Sequence, residues 1–151
     1  MGKYNIKVRH ARLKDINSVY SLGSKFDENL KASKRKNMHF HEKNEFKEFI
    51  KSPKYNILLV AIINDNIVGF LYAKILSYDW CLLDDLAVEK DFQNEGIGSE
   101  LLKEFYKIMK KRKIDYVQIL EEIHHKKTRK FWHDRGFREE KVFVWADKML
   151  K

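Results

Sequence analysis

Two adjacent acidic residues, Asp84 and Asp85, stand inside an otherwise apolar stretch that has the character of a strand. Carboxylates in apolar surroundings need a charged or hydrogen-bonding partner, and a positioned carboxylate can also accept a proton as a general base. Because side chains alternate along a strand, the two acids are predicted to face opposite sides of the sheet, so that only one reaches a given reactant. The alternative is a structural pair of carboxylates, each bound by a lysine or a backbone group.

A loop with two glycines follows this stretch and leads directly into a strongly amphipathic segment that predicts a helix. The loop consists of Gln93, Asn94, Glu95, Gly96, Ile97, Gly98 and Ser99. A helix N-terminus exposes unpaired N–H groups, and glycine lets the backbone approach an anion closely. The loop therefore has the properties of a diphosphate-binding site. A helix start without a ligand is the alternative, and neither Gly-x-Gly-x-x-Gly nor Gly-Lys-Ser/Thr is present.

The hydrophobic pattern predicts the elements that position these residues. Strands are predicted at residues 4–9, 57–63, 67–76, 80–88, 114–120 and 142–149, with an optional short strand at 137–139. Helices are predicted at about 13–23, 46–50, 98–109 and 126–135. The order indicates an α+β protein in α-β-α layers, with a mixed sheet of six to seven strands and about four helices. No linker interrupts the chain, so residues 1–151 are predicted to form one domain.

Composition limits the class of protein and its partners. The chain has 151 residues, one cysteine (Cys81) and a net charge of +9. The longest apolar run, residues 57–63, is too short to cross a bilayer, and the N-terminal residues do not resemble a signal peptide. We therefore expect a cytoplasmic protein without a membrane partner. The positive charge fits either a lysine-rich solvated surface or an anionic partner, such as a phosphate-rich cofactor or a nucleic acid.

Two motifs together resemble the GNAT superfamily of acetyltransferases. Gln93 to Gly98 resembles the Gln/Arg-x-x-Gly-x-Gly/Ala motif of the family, at the family's spacing after Leu86, Ala87 and Val88. Residues 128–137 resemble the second cofactor segment, which in the family typically ends in Tyr-x-x-x-Gly-Phe. The resemblance implies an N-acetyltransferase that transfers acetyl from acetyl-CoA to a primary amine by direct attack in a ternary complex. It also implies a sheet that splits between the fourth and fifth strands to admit the pantetheine arm.

The resemblance also implies roles for individual residues. Asp84 and Asp85 are the candidate catalytic residues, and Asp84 is favoured because the string Asp84 to Val88 resembles the diamine and glucosamine-phosphate acetyltransferase branches. His125 stands where the family often has asparagine, and Trp132 stands where the family usually has a tyrosine that protonates the departing thiolate. The implied cofactor-binding residues are Leu86, Ala87, Val88, Gln93, Asn94, Glu95, Gly96, Ile97, Gly98, Ser99, His125 and Phe131. The implied substrate-binding residues are Phe26, Asp27, Glu28, Tyr78 and Trp80.

Several alternatives for the substrate and the function stay open at this point. The amine can belong to a polyamine, an amino sugar, a small metabolite or a peptide or protein. His124 and His125 have no further ligands at zinc spacing, so no metal is expected. Homodimers are common in the family, but no feature of the sequence demands one. The rival functions are a CoA-binding protein with weak or no catalysis, favoured by Trp132, and a basic module that docks on RNA or the ribosome.

Overall fold

The computed structural model describes residues 3–26, 41–146, 148 and 150. Two predicted substrate residues, Asp27 and Glu28, lie outside the described residues. The contacts between residues divide the chain into two compact units, residues 1–119 and residues 120–151, and each is described by itself. That residues 1–151 form a single domain stays a prediction.

The first unit contains one mixed sheet whose strands lie in chain order. The described strands are β1 (Lys7–His10), β2 (Asn56–Ile63), β3 (Asn66–Ile75), β4 (Trp80–Val88) and β5 (Tyr116–Gln118). The first four are antiparallel neighbours, and β5 is parallel to β4. The hairpin between β2 and β3 turns on Asn64 and Asp65, whose φ angles of 48° and 62° suit the two-residue turn that the sequence predicts.

Helices cover both faces of this sheet. The described helices of the first unit are α1 (Ile16–Lys25), α2 (Lys43–Lys51) and α3 (Ile97–Arg112), and the second unit contributes α4 (Lys126–His133). Phe70 packs in a buried cluster with Val19 of α1 and Phe46 of α2. Gly69, which precedes Phe70 on β3, faces α3 instead. A Cβ at Gly69 would come within 3.1 Å of Ile97 Cγ2 on that helix. The first unit is therefore layered α-β-α, as predicted, and no helix in the described ranges is long and apolar enough to cross a membrane.

The predicted count of six to seven strands is wrong, because residues 3–26 and 41–146 contain five. Residues 142–146, predicted to begin the last strand, form no ladder among the described residues, and Val142 to Trp145 have exposed fractions between 73% and 92%. Residues 137–139 are not a strand either. β5 is shorter than predicted, because the Ile114 N–H donates to the Met109 carbonyl and so belongs to the end of α3.

Asp15 is a buried carboxylate that fixes the start of α1 against β1. It accepts two hydrogen bonds from the Arg9 guanidinium, at 2.6 and 3.1 Å, and one from the Arg12 N–H at 2.7 Å. Burial alone would raise the pKa of Asp15, but these hydrogen bonds hold it below its ordinary value. The ionised form is therefore the one that stabilises the fold.

Replacing Asp15 by alanine should lower the free energy of unfolding by about 2 kcal/mol, because charged hydrogen bonds to a buried carboxylate are lost. The loss stays moderate because Arg9 is partly exposed and water can solvate its guanidinium. The stabilisation should be present above the ordinary carboxyl pKa, about 3.9, and should be lost as the pH falls through the lower pKa of the folded state. Urea unfolding at several pH values measures both effects. Asp134→Ala, which removes an exposed pair with Lys130, is the control and should leave stability unchanged.

Candidate functional site

A β-bulge at Asp84 shapes the centre of the site. In the β3–β4 ladder Tyr72 lies opposite Asp85, whereas Ala73 lies opposite Leu83, so that Asp84 is an extra residue without a partner on β3. A bulge interrupts the regular alternation of side chains. Both carboxylates consequently approach the same side chain, that of His41. The prediction that the two acids face opposite sides of the sheet is therefore wrong.

His41, two residues before α2, is a candidate site residue that the sequence did not indicate. Its Nε2 lies 3.2 Å from Asp85 Oδ2 and 3.6 Å from Asp84 Oδ2. Burial lowers the pKa of His41, but the hydrogen bonds and charges of the two aspartates outweigh it and raise the pKa to about 10. The imidazole is therefore a cation at neutral pH. Only the folded chain brings it to residues that are more than 40 positions away.

Aromatic rings surround the imidazole of His41. Phe46, Phe49 and Tyr72 each meet it edge to face, with ring centroids 5.3–5.5 Å away. Tyr72 stacks on Phe49 at 4.3 Å, and its hydroxyl donates to Asn56 Oδ1 at 2.8 Å. Rings at this distance hold a cation and fix its orientation. The histidine is thus held rigidly beside the two carboxylates.

The same three residues also have the spacing of a metal site. One ligand atom from each of His41, Asp84 and Asp85 lies within 4.8 Å of the other two. A metal ion, however, requires a neutral imidazole nitrogen. Because the pKa of His41 is raised to about 10, that nitrogen carries a proton at neutral pH. Without a metal ion the three residues form an ion pair between one imidazolium and two carboxylates, and a metal ion that bound here would have to displace the imidazole proton.

The loop before α3 forms an open site that is rich in hydrogen-bond donors. Within the described residues, the N–H groups of residues 94–98 donate to no protein acceptor. Gly96 has a φ of +84°, and among the described residues no atom beyond its own chain neighbours lies within 4 Å of the position that a Cβ would occupy. Gln93 Nε2 donates to the Val88 carbonyl at 3.1 Å and ties the loop to the end of β4. These residues fit a diphosphate, since free amides at the start of a 16-residue helix attract an anion.

β4 pairs with β5 only along its first three residues. Their ladder covers Trp80, Cys81 and Leu82 of β4, opposite Tyr116, Val117 and Gln118 of β5. The β3–β4 ladder, in contrast, continues to Val88. In the first unit, the edge of β4 from Leu83 to Val88 is therefore not paired with β5. The bulge at Asp84 lies where this unpaired edge begins.

Comparison with known proteins identifies the family. The family model described as "Acetyltransferase (GNAT) family" matches residues 19–137, which is most of the chain. The chain belongs to the acetyltransferase (GNAT) family. Its members use acetyl-CoA as the acetyl donor, and the chain is accordingly an acetyl-CoA-dependent N-acetyltransferase. A search of curated proteins finds no match.

Solved structures share the GNAT fold. One is an aminoglycoside acetyltransferase from an uncultured soil metagenomic sample, in complex with sisomicin; it is 19% identical, with a TM-score of 0.75 over 97% of each chain. Another is the PaiA N-acetyltransferase of Thermoplasma acidophilum in complex with coenzyme A, 18% identical, with a TM-score of 0.77 over 92% of this chain and 93% of that one. Ard1 of Thermoplasma volcanium is 18% identical, with a TM-score of 0.70 over 88% and 82%.

The described substrate candidates of this GNAT protein lie toward opposite ends of β4. Phe26 follows α1 and is 46% exposed; the adjacent Lys25 Nζ lies 2.6 Å from an oxygen of Glu89, just beyond β4. Tyr78 lies in the connection between β3 and β4, and Trp80 is the first residue of β4. Both are therefore at the opposite end of that strand. Trp80 precedes Asp84 by four residues, which is about 13 Å along an extended strand. Only Phe26 thus lies toward the end of β4 that leads into the glycine loop.

The second unit of the GNAT chain contains the other implied cofactor residues, on and before α4. Trp132 is buried and packs edge to face on Phe131 and Phe137, with centroids 5.0 and 5.1 Å away. His125 is exposed at the N-terminus of α4. Arg129 binds both oxygens of Glu139 at 2.6 and 2.7 Å. Its guanidinium is therefore occupied within the unit, which argues against its use for a cofactor phosphate.

Proposed function

We propose that the protein transfers acetyl from acetyl-CoA to a primary amine, with Asp84 as the general base and Asp85 beside it. The observation that carries this proposal is the bulge at Asp84, which brings two carboxylates to one point on the strand. That strand leads directly into the donor-rich loop before α3. A proton acceptor and an anion site thus lie along one continuous segment, residues 84–98.

The residues of this segment divide the task of holding acetyl-CoA. The free N–H groups of residues 94–98 suit the diphosphate, and the edge of β4 at Leu86, Ala87 and Val88 suits the amides of the pantetheine arm. Gln93 holds the loop in place through its hydrogen bond to Val88, and Ser99 lies in the first turn of α3. We assign His125 and Phe131 to the cofactor on the family resemblance alone.

The chemistry explains why a base is needed. The substrate ammonium first gives one proton to the base. The neutral amine nitrogen then forms a bond to the acetyl carbonyl carbon while the carbon–sulfur bond breaks; the nitrogen loses a second proton, the thiolate sulfur gains one, and one proton is released to solvent. An ordinary alkylamine, with a pKa of about 10.4, costs about 4.6 kcal/mol to deprotonate at pH 7, whereas an α-amine costs about 1 kcal/mol. Asp84 is the more exposed acid, with 40% of its side chain accessible against 25% for Asp85. It is therefore the acid better placed to take the proton, directly or through water.

The leaving thiolate has no acid at the position where the family usually supplies tyrosine. Trp132 occupies that position, is buried among phenylalanines, and has an indole N–H that does not ionise near neutral pH. A thiol with a pKa of about 8.5 is a good leaving group without assistance. We propose that solvent protonates the sulfur.

The charge of the site favours a cationic amine as substrate. Asp84, Asp85 and Glu45 lie around a single imidazolium, so the cluster keeps a net negative charge that attracts an ammonium group. Polyamines, amino sugars, small metabolite amines and peptide amines all meet this requirement. We therefore propose that the substrate is a primary amine that binds as an ammonium ion. A comparison of several amines identifies which one.

Calorimetry with CoA and thiol release from acetyl-CoA test the proposal together. The amines should include spermidine, glucosamine 6-phosphate, an aminoglycoside and a peptide with a free N-terminus. We expect CoA to bind and at least one amine to release thiol well above the rate of hydrolysis. Binding without turnover of any amine would instead favour a CoA-binding protein, for which the tryptophan at position 132 is the supporting observation. Absence of CoA binding would refute both functions.

A further inference from the structure

We propose that His41 is a positioning residue of the amine site: its imidazolium binds Asp85 and balances one of the two negative charges at the bulge, which leaves Asp84 to receive the substrate amine. This inference rests on the proposed function, since it assigns a role beside the same two carboxylates. It adds a residue from outside the motifs.

The distances distinguish the two aspartates. The Nε2–H of His41 lies 3.2 Å from Asp85 Oδ2 and 3.6 Å from Asp84 Oδ2, so the shorter of its two carboxylate contacts is the one to Asp85. Asp85 is also the less exposed of the two. The hydrogen bond fixes Asp85, while Asp84 keeps most of its acceptor capacity for another donor. The bulge therefore carries one acid held by histidine and one acid directed toward solvent.

Two carboxylates so close together repel each other, because they carry like charges. A cation between them removes this repulsion. His41 is suited to the task because Phe46, Phe49 and Tyr72 hold its ring in place. It is also 23% exposed, so that water screens the charges only in part.

Charged groups face the imidazole from each element that packs on it. β4 contributes Asp84 and Asp85, and α2 contributes Glu45, whose carboxylate lies 3.8 Å from Nδ1. β3 contributes Tyr72, whose pKa is raised by burial and by the nearby carboxylates, so that it stays a neutral phenol. These three carboxylates are anionic, and those of Asp84 and Asp85 raise the pKa of His41. One imidazolium and the two aspartates leave one negative charge at the bulge, and Glu45 adds a second negative charge on the other side of the imidazole.

Removal of the imidazolium should strengthen binding of the amine and slow its acetylation. In His41→Gln the ammonium meets two uncompensated carboxylates, so the KM for the amine should fall several-fold. The same carboxylates should raise the pKa of the bound amine by about one unit, since a nearby opposite charge stabilises the protonated form. At pH 7.5 kcat should consequently fall about tenfold, and the pH profile of kcat should move about one unit toward alkaline pH. His41→Lys, which keeps a cation, should restore the profile.

The experiment combines NMR titration with steady-state kinetics on the full-length chain. In ¹⁵N-labelled protein the His41 ring should titrate near pH 10 in the wild type, and at a lower pH in Asp85→Asn. Folding of each variant is checked by circular dichroism. His124→Gln, which changes an exposed histidine of the second unit, is the control and should leave kcat, KM and the pH profile unchanged. If His41→Gln does not fold, the titrations of the wild type and of Asp85→Asn decide the question.

The outcomes separate this inference from the proposed function. Titration of His41 near its ordinary value of about 6.5 would overturn the inference even if the enzyme turns over. So would a lower kcat with an unmoved pH profile, because that pattern indicates a structural role only. Turnover that requires a divalent metal and stops with EDTA would replace the ion pair by a metal site. A wild type that binds CoA but acetylates no amine would overturn the proposed function and the positioning role, whatever the titration shows.

Discussion

Asp84→Asn should lower kcat by about 100-fold or more while the affinity for CoA stays unchanged. Asparagine has nearly the same shape as aspartate but cannot accept a proton, and general-base catalysis contributes about 10²–10⁴-fold. The loss should be larger for alkylamines than for α-amines, because only the former are almost fully protonated at pH 7. Thiol release at saturating amine gives kcat, and calorimetry gives the dissociation constant of CoA.

Asp85→Asn is the matched control for this substitution. It changes the adjacent residue of the same bulge but, on the geometry, removes the partner of His41 and not the proton acceptor. We expect a smaller loss of kcat, about tenfold, since the orientation of the site suffers and the base remains. Equal losses in the two variants, or a larger loss for Asp85→Asn, would reverse the assignment of the two acids.

Gly96→Ala should weaken CoA binding by about 10- to 100-fold. The residue has a φ of +84°, and in the part of the chain that the structure describes only its own chain neighbours come within 4 Å of the position of a Cβ. A methyl group there would occupy the position proposed for the diphosphate and displace one charge-assisted hydrogen bond, worth about 1.5–3 kcal/mol. Calorimetric titration with CoA measures the loss.

Gly136→Ala separates this effect from the cost of backbone strain. Gly136 has a φ of +87° and equally open surroundings, so alanine there should cost the same 1–2 kcal/mol or so of stability for a left-handed conformation. Both variants should therefore show similar decreases in urea midpoint, whereas only Gly96→Ala should lose CoA affinity. If the two variants bind CoA equally well, the loop before α3 is not the diphosphate site.

Features that depend on near neighbours in the chain could be predicted from the sequence. Asn64 and Asp65 predicted the hairpin turn between β2 and β3, and the amphipathic segment after Gly98 predicted α3. The strand–helix–strand order predicted that β4 and β5 are parallel. The glycines of the loop before α3 likewise indicated an anion site, because free amides and a left-handed backbone are local properties. A cytoplasmic location and a homodimer stay predictions from composition and family.

The tertiary structure alone decided the centre of the site. The bulge at Asp84 arises from the register between β3 and β4, and a pattern within one strand carries no information about that register. His41 reaches the two aspartates across 43 or more positions, since the packing of α2 on the sheet sets its place. Local patterns fix which elements form because they depend on short-range sterics and periodicity, whereas the meeting of distant side chains depends on how those elements pack.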